Sequence, residues 1–141
     1  MRTLKVHDDG TTTLLDAAGC ELACESALDA ARREKRWELE SHAIRAEGSG
    51  FQFAGNTYAS DSAAQQRITL NVLLAMRKLA DFPMDWELPD GNVVTLQAQD
   101  MLDLGVALAE HLDAVQTTVR DLHARIRQAA SVQEVQAIVW P

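Results

Sequence analysis

The segment from Leu96 to Ala130, LQAQDMLDLGVALAEHLDAVQTTVRDLHARIRQAA, decides the fold of this chain. Its apolar residues recur at steps of three and four, which places their side chains on one face of an α-helix. At a rise of 1.5 Å per residue, this helix is roughly 50 Å long. That is more than a compact core of this size needs along one direction. We therefore predict one long helix, 96–130, against which the rest of the chain, or a second chain, packs.

The second half of this helix has heptad spacing, as helices of coiled coils do. The a and d positions are Leu112, Val115, Val119, Leu122, Ile126 and Ala129. The e and g positions lack the complementary Glu and Lys pairs that specify a dimer. Gly105 precedes the heptads, and it either lets another backbone approach closely or bends the helix. Packing within the chain and self-association between chains therefore both remain open.

Three further segments predict small β-hairpins, because runs of alternating residues flank turn-forming residues. They are 4–15 with its turn at Asp8-Asp9-Gly10, 51–59 with its turn at Ala54-Gly55-Asn56, and 84–96 with its turn at Pro89-Asp90-Gly91-Asn92. With helices at 21–47, about 63–79, 96–130 and 131–138, the predicted fold class is α+β and mainly helical. It combines long helices with two or three small β-hairpins.

Helix starts are predicted from capping residues. Ser60, Asp61 and Ser62 are three candidate N-caps for the 63–79 helix, and Ser62 with Gln65 fits an S-x-x-Q capping box. Thr95 is the expected cap of the long helix. The sequence Ser131-Val132-Gln133-Glu134 is an S-x-x-E capping box, which predicts the short last helix.

The stretch Gly48-Ser49-Gly50 is the best candidate for a domain boundary. It separates an N-terminal arm, 1–47, made of a hairpin and a charged helix, from a compact α+β unit, 48–141, that contains the long helix. The arm's helix is almost entirely charged from Arg32 to Glu40, with Trp37 in the middle. A helix this polar is typical of one that runs through solvent or between subunits.

Composition excludes several classes of function. The formal net charge is −8, from 21 Asp and Glu against 13 Lys and Arg. An acidic chain is a poor candidate for nucleic-acid binding, and the three glutamates interleaved from Arg32 to Glu40 largely cancel the positive field there. No apolar run reaches the 18 or so residues that a membrane span requires. We expect neither a nucleic acid nor a membrane as partner.

The candidate catalytic and metal-binding residues all have structural explanations. Cys20 and Cys24 are best explained as small apolar side chains, since a zinc site needs further ligands nearby. His111 and His123 lie about three helical turns apart, too far to bind one ion together. Asp100 and Asp103 occupy the first turns of the long helix, where the helix dipole favours negative charge. We predict no catalytic residue, no metal, no cofactor and no enzyme activity.

The order of features from residue 32 onward resembles a family of uncharacterised domains found in tail-fibre-like proteins of tailed bacteriophages and prophages. These features are Arg32-Arg33-Glu34, the hairpin and capped helix start at 51–61, the Trp-containing hairpin 86–94, the long helix, and the capped segment 131–140 that ends with Trp140. The likeness covers about three quarters of the chain and rests on their order, since no single feature is specific. The family provides no catalytic residues to carry over.

The resemblance implies a structural component of a phage tail, in fibre or baseplate attachment, that is assembled in the host cytoplasm and retained in the virion. Other tail proteins are the implied partners, and a homo-oligomer is expected, with a trimer favoured. A tail-fibre assembly chaperone absent from the virion is the alternative, and a small cytosolic regulatory protein is a third. We expect packing through Leu112, Val115, Val119, Leu122 and Ile126, with Trp37 and Trp140 as anchors.

Overall fold

A computed structural model describes residues 3–6, 8–10, 12–15, 21–22, 26–78 and 82–141. The described residues form four helices and short antiparallel sheets, which confirms the predicted mainly helical α+β class. The strands are β1 (Thr3–Val6), β2 (Thr12–Leu15), β3 (Glu21–Leu22), β4 (Phe51–Phe53), β5 (Asn56–Tyr58), β6 (Met84–Glu87) and β7 (Val93–Leu96). The helices are α1 (Ala27–Glu47), α2 (Ser62–Arg77), α3 (Ala98–Gln128) and α4 (Val132–Gln136).

The chain divides into two compact units that are not consecutive in sequence. The first unit combines Met1–Ser41 with Val119–Pro141, and the second is His42–Thr118. Helices α1 and α3 each contribute residues to both units. The predicted boundary at Gly48-Ser49-Gly50 falls inside the second unit.

In the first unit, α1 packs on the end of α3 and on the C-terminal segment. Leu39, Leu122, Ile126 and Ile138 form an apolar cluster in which each side chain is at most 4% exposed. Because full burial of such a side chain contributes about 1.5–3 kcal/mol, this cluster stabilises the unit substantially. Strands β1, β2 and β3 form an antiparallel sheet in that order, so the predicted hairpin at 4–15 is confirmed.

In the second unit, one face of α2 packs on the first half of α3 and on the hairpins β4–β5 and β6–β7. The buried residues of this core are Phe51, Tyr58, Ile68, Ala75, Trp86, Leu88, Leu96, Met101, Leu104 and Leu108. The β4–β5 loop consists of Ala54 and Gly55, and both have positive φ, of 49° and 80°. Positive φ at both loop positions is the geometry that suits a tight two-residue hairpin. Both predicted hairpins of this unit are therefore confirmed.

Helix α1 begins later than predicted, at Ala27 instead of residue 21. The hydroxyl oxygen of Ser26 accepts a hydrogen bond from the Asp29 backbone N–H at 3.1 Å, which caps the first turn. Upstream, Glu21 and Leu22 pair with β2 and are therefore in a strand. The prediction of a helix from Glu21 is wrong, because sheet pairing prevails over helix propensity there. Ala17-Ala18-Gly19, Cys20 and Cys24 lie outside the described residues.

The predicted N-caps are confirmed in part: Asp61, one of the three candidates, caps α2, whereas the Ser62–Gln65 capping box and the Thr95 cap are wrong. Helix α2 is capped by Asp61, whose carboxylate accepts from the Ala64 N–H at 2.9 Å, while Ser62 is already helical. Helix α3 starts at Ala98, and Asp100 accepts from the Gln97 N–H at 2.8 Å. Thr95 remains in β7, where its hydroxyl donates to Asp85 at 3.1 Å. The sheet holds this threonine away from the helix end.

The predicted capping box of α4 is confirmed. The Ser131 hydroxyl oxygen accepts from the Glu134 N–H at 3.2 Å, and the Glu134 carboxylate accepts from the Ala130 N–H at 2.7 Å. These two bonds satisfy backbone donors that have no partner within the helix. The helix ends at Gln136, two residues before the predicted end at Ile138.

Candidate interaction surface

The apolar face predicted on α3 lies largely inside the chain. Val115, Val119, Leu122 and Ile126 are between 0% and 9% exposed, and Leu112 is half-buried against the core of the second unit. The residues on this face are thus covered by other parts of the same molecule. Their packing between chains remains a prediction.

The two tryptophans predicted as anchors differ in environment. Trp140 is half-buried and packs on the cluster of Leu39, Leu122, Ile126 and Ile138, so it anchors the C-terminal segment within the first unit. Trp37 is 73% exposed on α1. An exposed tryptophan presents a large apolar area to solvent, and tryptophan is enriched at protein interfaces. Within this chain Trp37 is not a core residue.

The largest group of exposed apolar side chains on any described helix belongs to α2. Leu70, Leu73, Leu74 and Met76 are 60%, 50%, 38% and 65% exposed, and we call these four residues the α2 apolar surface. Apolar area concentrated in this way marks a site of protein interaction more often than scattered exposed residues do. Methionine and leucine side chains also adapt to differently shaped partners.

The local sequence explains why α2 is apolar on two sides. Ile68 and Ala75 are buried, Val72 is half-buried against the core, and together they form the inner face. Leu70, Leu73 and Leu74 fall outside that stripe, since residues one or two positions away point in other directions. Six of the nine residues from Ile68 to Met76 are large and apolar, more than one helix face can bury. This excess of large apolar residues is the sequence signal that some of them are exposed, although it does not show which ones.

Charge near the α2 apolar surface is positive. From Ser62 to Lys78 the sequence contains Arg67, Arg77 and Lys78 and neither Asp nor Glu. The last two lie at the C-terminal end of α2, where cations interact favourably with the helix dipole. The Arg67 guanidinium lies 4.3 Å from the centroid of the Trp86 ring, in a cation–π contact. The partner that best complements this helix has an apolar centre and a negatively charged rim.

His111 of α3 has a structural role in the second unit. His111 stacks on Phe51 with ring centroids 5.9 Å apart, and its Nε2 lies 3.1 Å from the Glu47 carbonyl oxygen. Among the described residues, no three His, Cys, Asp or Glu side chains group closely enough to hold a metal ion. His7 lies outside the part of the chain that the structure describes. No described helix contains an apolar stretch of the length that a membrane span requires.

Comparison with known families matches residues 30–139 to a domain family described as a domain of unknown function, DUF4376. The chain belongs to the DUF4376 family. The α2 apolar surface, α3 and the capped α4 all lie within the DUF4376 domain, whereas β1, β2 and β3 precede it. The predicted membership in an uncharacterised domain family is confirmed over nearly the range expected from residue 32 onward. No curated protein and no solved structure matches the chain.

Proposed function

We propose that this DUF4376 domain is a structural protein of a bacteriophage or prophage tail, in fibre or baseplate attachment, and that it acts by self-association and by binding other tail proteins. The observation that carries the interaction role is the α2 apolar surface. The phage setting is supported by the order of sequence features from residue 32 onward, which resembles domains of tail-fibre-like proteins.

A second copy of the chain is the proposed occupant of the α2 apolar surface. The chain carries a net charge of −8, so its surface outside α2 has the carboxylates that complement Arg67, Arg77 and Lys78. A two-fold contact of α2 with α2 would place these cations near one another, and like charges at an interface are unfavourable. A head-to-tail contact avoids that repulsion, and such contacts form a ring where the rotation between copies closes. A trimer or larger ring is therefore favoured over a dimer.

The test is the absolute mass of the purified chain, measured by light scattering after size exclusion at several concentrations. We expect an oligomer for the wild type, and a monomer for Leu70→Glu and Leu73→Glu, because a buried unpaired carboxylate opposes association. Ile44→Glu is the matched control, since Ile44 is an apolar helix residue that is 69% exposed on α1. It should leave the mass unchanged. A wild-type monomer at all concentrations contradicts self-association.

The alternative is a tail-fibre assembly chaperone, which acts during assembly and is absent from the virion. Exposed apolar area on one helix also suits a chaperone, because a chaperone covers apolar surface of its client temporarily. Mass spectrometry of purified particles from a host carrying the gene distinguishes the two functions. Peptides of this chain in the particle support the virion component, whereas their presence only in the infected-cell lysate supports the chaperone.

A further inference from the structure

The second unit has an apolar groove of about 310 Å³ between α2 and α3, which we call the α2–α3 groove. Its walls include Thr69 and Val72 of α2 and Gly105, Val106 and Ala109 of α3. Among the described residues that line it, Thr69 alone has a polar side chain, and Val106 is 57% exposed. The groove is thus an open apolar site with one hydroxyl group.

The local sequence explains why the groove is open and what it adjoins. Gly105 has no side chain, and Ala109, one helical turn later, has only a methyl group, so α3 fills little of the space beside α2. The groove continues into the α2 apolar surface, because Leu73 follows Thr69 by one turn on the same side of α2. A partner that covers the α2 apolar surface therefore also meets the groove.

Trp37 of α1 has the size and exposure to fill this groove in a second copy of the chain. Among the exposed large apolar side chains of the described residues it is the only aromatic one, and it is 73% exposed. A buried tryptophan removes about 150–250 Å² from water, which is why tryptophan dominates the energetics of many interfaces. A groove of about 310 Å³ has room for one side chain of this kind.

The hydroxyl group in the groove suits an indole ring. A tryptophan N–H is a donor only, and it needs an acceptor when it is buried. The Thr69 hydroxyl donates to the Gln65 carbonyl oxygen at 2.8 Å, which leaves the hydroxyl oxygen as an acceptor. The groove therefore offers both the apolar walls and the acceptor that an inserted tryptophan requires.

The two rims of the groove differ in charge. By helical position, Arg77 lies on the outer side of α2 next to the groove, whereas Asp103 and Glu110 lie on the corresponding side of α3. All three residues are exposed. A partner helix that complements the groove therefore has an acidic side toward α2 and a basic side toward α3.

The surroundings of Trp37 on α1 have this arrangement. By helical position its charged neighbours fall on two sides, one acidic with a formal charge of −2 and the other basic with a formal charge of +1. They are Glu34 and Glu38 on the first side and Arg33, Arg36 and Glu40 on the second. Glu38 also pairs with Lys35 within the chain. With Trp37 in the groove, the acidic side faces Arg77 and the basic side faces the carboxylates of α3.

We propose that Trp37 of one copy inserts into the α2–α3 groove of the next copy. The inference names the contact made in the proposed self-association and rests on it. Because the two surfaces differ, the contact is head-to-tail, as the charge on α2 also requires. Ile44 lies seven residues after Trp37, about 10 Å further along α1, and is therefore beyond a groove that holds one side chain.

The first experiment measures mass by light scattering after size exclusion at several concentrations. Trp37→Ala should raise the concentration needed for half-association roughly 30-fold or more, as loss of an interface hot-spot residue does. Ile44→Ala is the matched control, because Ile44 is 69% exposed on the same helix, and it should associate like the wild type. Circular dichroism should show that both variants keep the wild-type helix content.

The second experiment tests whether Trp37 and the groove bind each other. Val106→Glu places a carboxylate in the groove, and Ala109→Trp fills the groove from an exposed position, so each should be a monomer like Trp37→Ala. Trp37→Ala and Val106→Glu are then mixed at a concentration where the wild type is fully associated. The mixture should contain pairs of two chains, since the intact groove of the first variant accepts Trp37 of the second.

The outcomes separate this inference from the proposed function. If Trp37→Ala keeps the wild-type mass while Leu73→Glu is a monomer, the inference is wrong and self-association stands. Absence of pairs in the mixture of Trp37→Ala and Val106→Glu also overturns the inference. A wild-type monomer at all concentrations overturns both.

Discussion

A Cβ atom on Gly105 of α3 would lie 2.7 Å from the Cγ2 atom of Val72 on α2. Non-bonded carbon atoms in real structures do not approach this closely. Glycine at this position therefore permits the short distance between α2 and α3 in the second unit. The sequence predicted that Gly105 either lets another backbone approach closely or bends α3, but the three nearest atoms belong to a side chain and not to a backbone. The close neighbour is the Val72 side chain.

Gly105→Ala should lower the free energy of unfolding by about 1 kcal/mol. Overpacking a core costs about 1–3 kcal/mol, whereas the gain in helix propensity from Gly to Ala is about 1 kcal/mol, so the clash prevails. Urea unfolding followed by circular dichroism measures the difference. In a Val72→Ala background the clashing methyl group is absent, and the same change should become neutral or stabilising. An equal loss in both backgrounds would show that Val72 is not the cause.

Ser60→Ala should destabilise the second unit by about 1–3 kcal/mol, the usual cost of leaving a buried polar group unpaired. Ser60 is fully buried, and its hydroxyl oxygen accepts from the Gly50 N–H at 2.8 Å while the hydroxyl donates to the Glu47 carbonyl. Without the hydroxyl, the Gly50 N–H loses its acceptor. Denaturant unfolding gives the energy, and hydrogen exchange at Gly50 should become faster. Ser62→Ala, at an exposed position, is the control and should have little effect.

Leu122→Ala should cost about 2–5 kcal/mol of stability, as large-to-small changes in a core do. Leu122 is 4% exposed within the cluster of Leu39, Ile126 and Ile138. Leu122→Asp should abolish folding of the first unit, because it places a carboxylate in an apolar site. Thermal unfolding measures both effects, and Ile44→Ala at an exposed position should change the melting temperature little. Wild-type stability of Leu122→Asp would contradict the assignment of this cluster as a core.

The stability of the second unit should fall at alkaline pH. Burial raises the pKa of the Tyr58 phenol above its ordinary value of 10.0, and the negative charge of Asp100 raises it further. The unfolded chain ionises Tyr58 at about pH 10, while the folded chain still holds the proton. The resulting stabilisation is fully present below the unfolded pKa and is lost as pH rises through the folded pKa.

Tyr58 is the single tyrosine of the chain, so the near-ultraviolet absorbance of tyrosinate reports its ionisation directly. The folded protein should titrate at higher pH than the chain in denaturant, and the free energy of unfolding should decrease above about pH 10. In Tyr58→Phe, the free energy of unfolding should decrease less above about pH 10, because the phenol no longer contributes. Identical titration curves for folded and denatured protein would refute the raised pKa.

Local sequence patterns determined much of the fold. The three- and four-residue steps of apolar side chains predicted α3 to within two residues at each end, 96–130 against Ala98–Gln128. The turns at Asp8-Asp9-Gly10, Ala54-Gly55-Asn56 and Pro89-Asp90-Gly91-Asn92 and the capping box at Ser131 were also correct. Each of these features depends on backbone geometry and on hydrogen bonds between residues at most a few positions apart, so the sequence contains the information needed.

Which apolar faces are covered, and which charged residues meet, depends on the tertiary structure. The Arg32 guanidinium and the Ala129 carbonyl are 97 residues apart, and no local pattern connects them. The exposure of the outer face of α2 likewise depends on where whole helices pack. The physical reason is that periodicity shows which side chains share a helix face, whereas burial and electrostatic contact depend on which other element lies against that face.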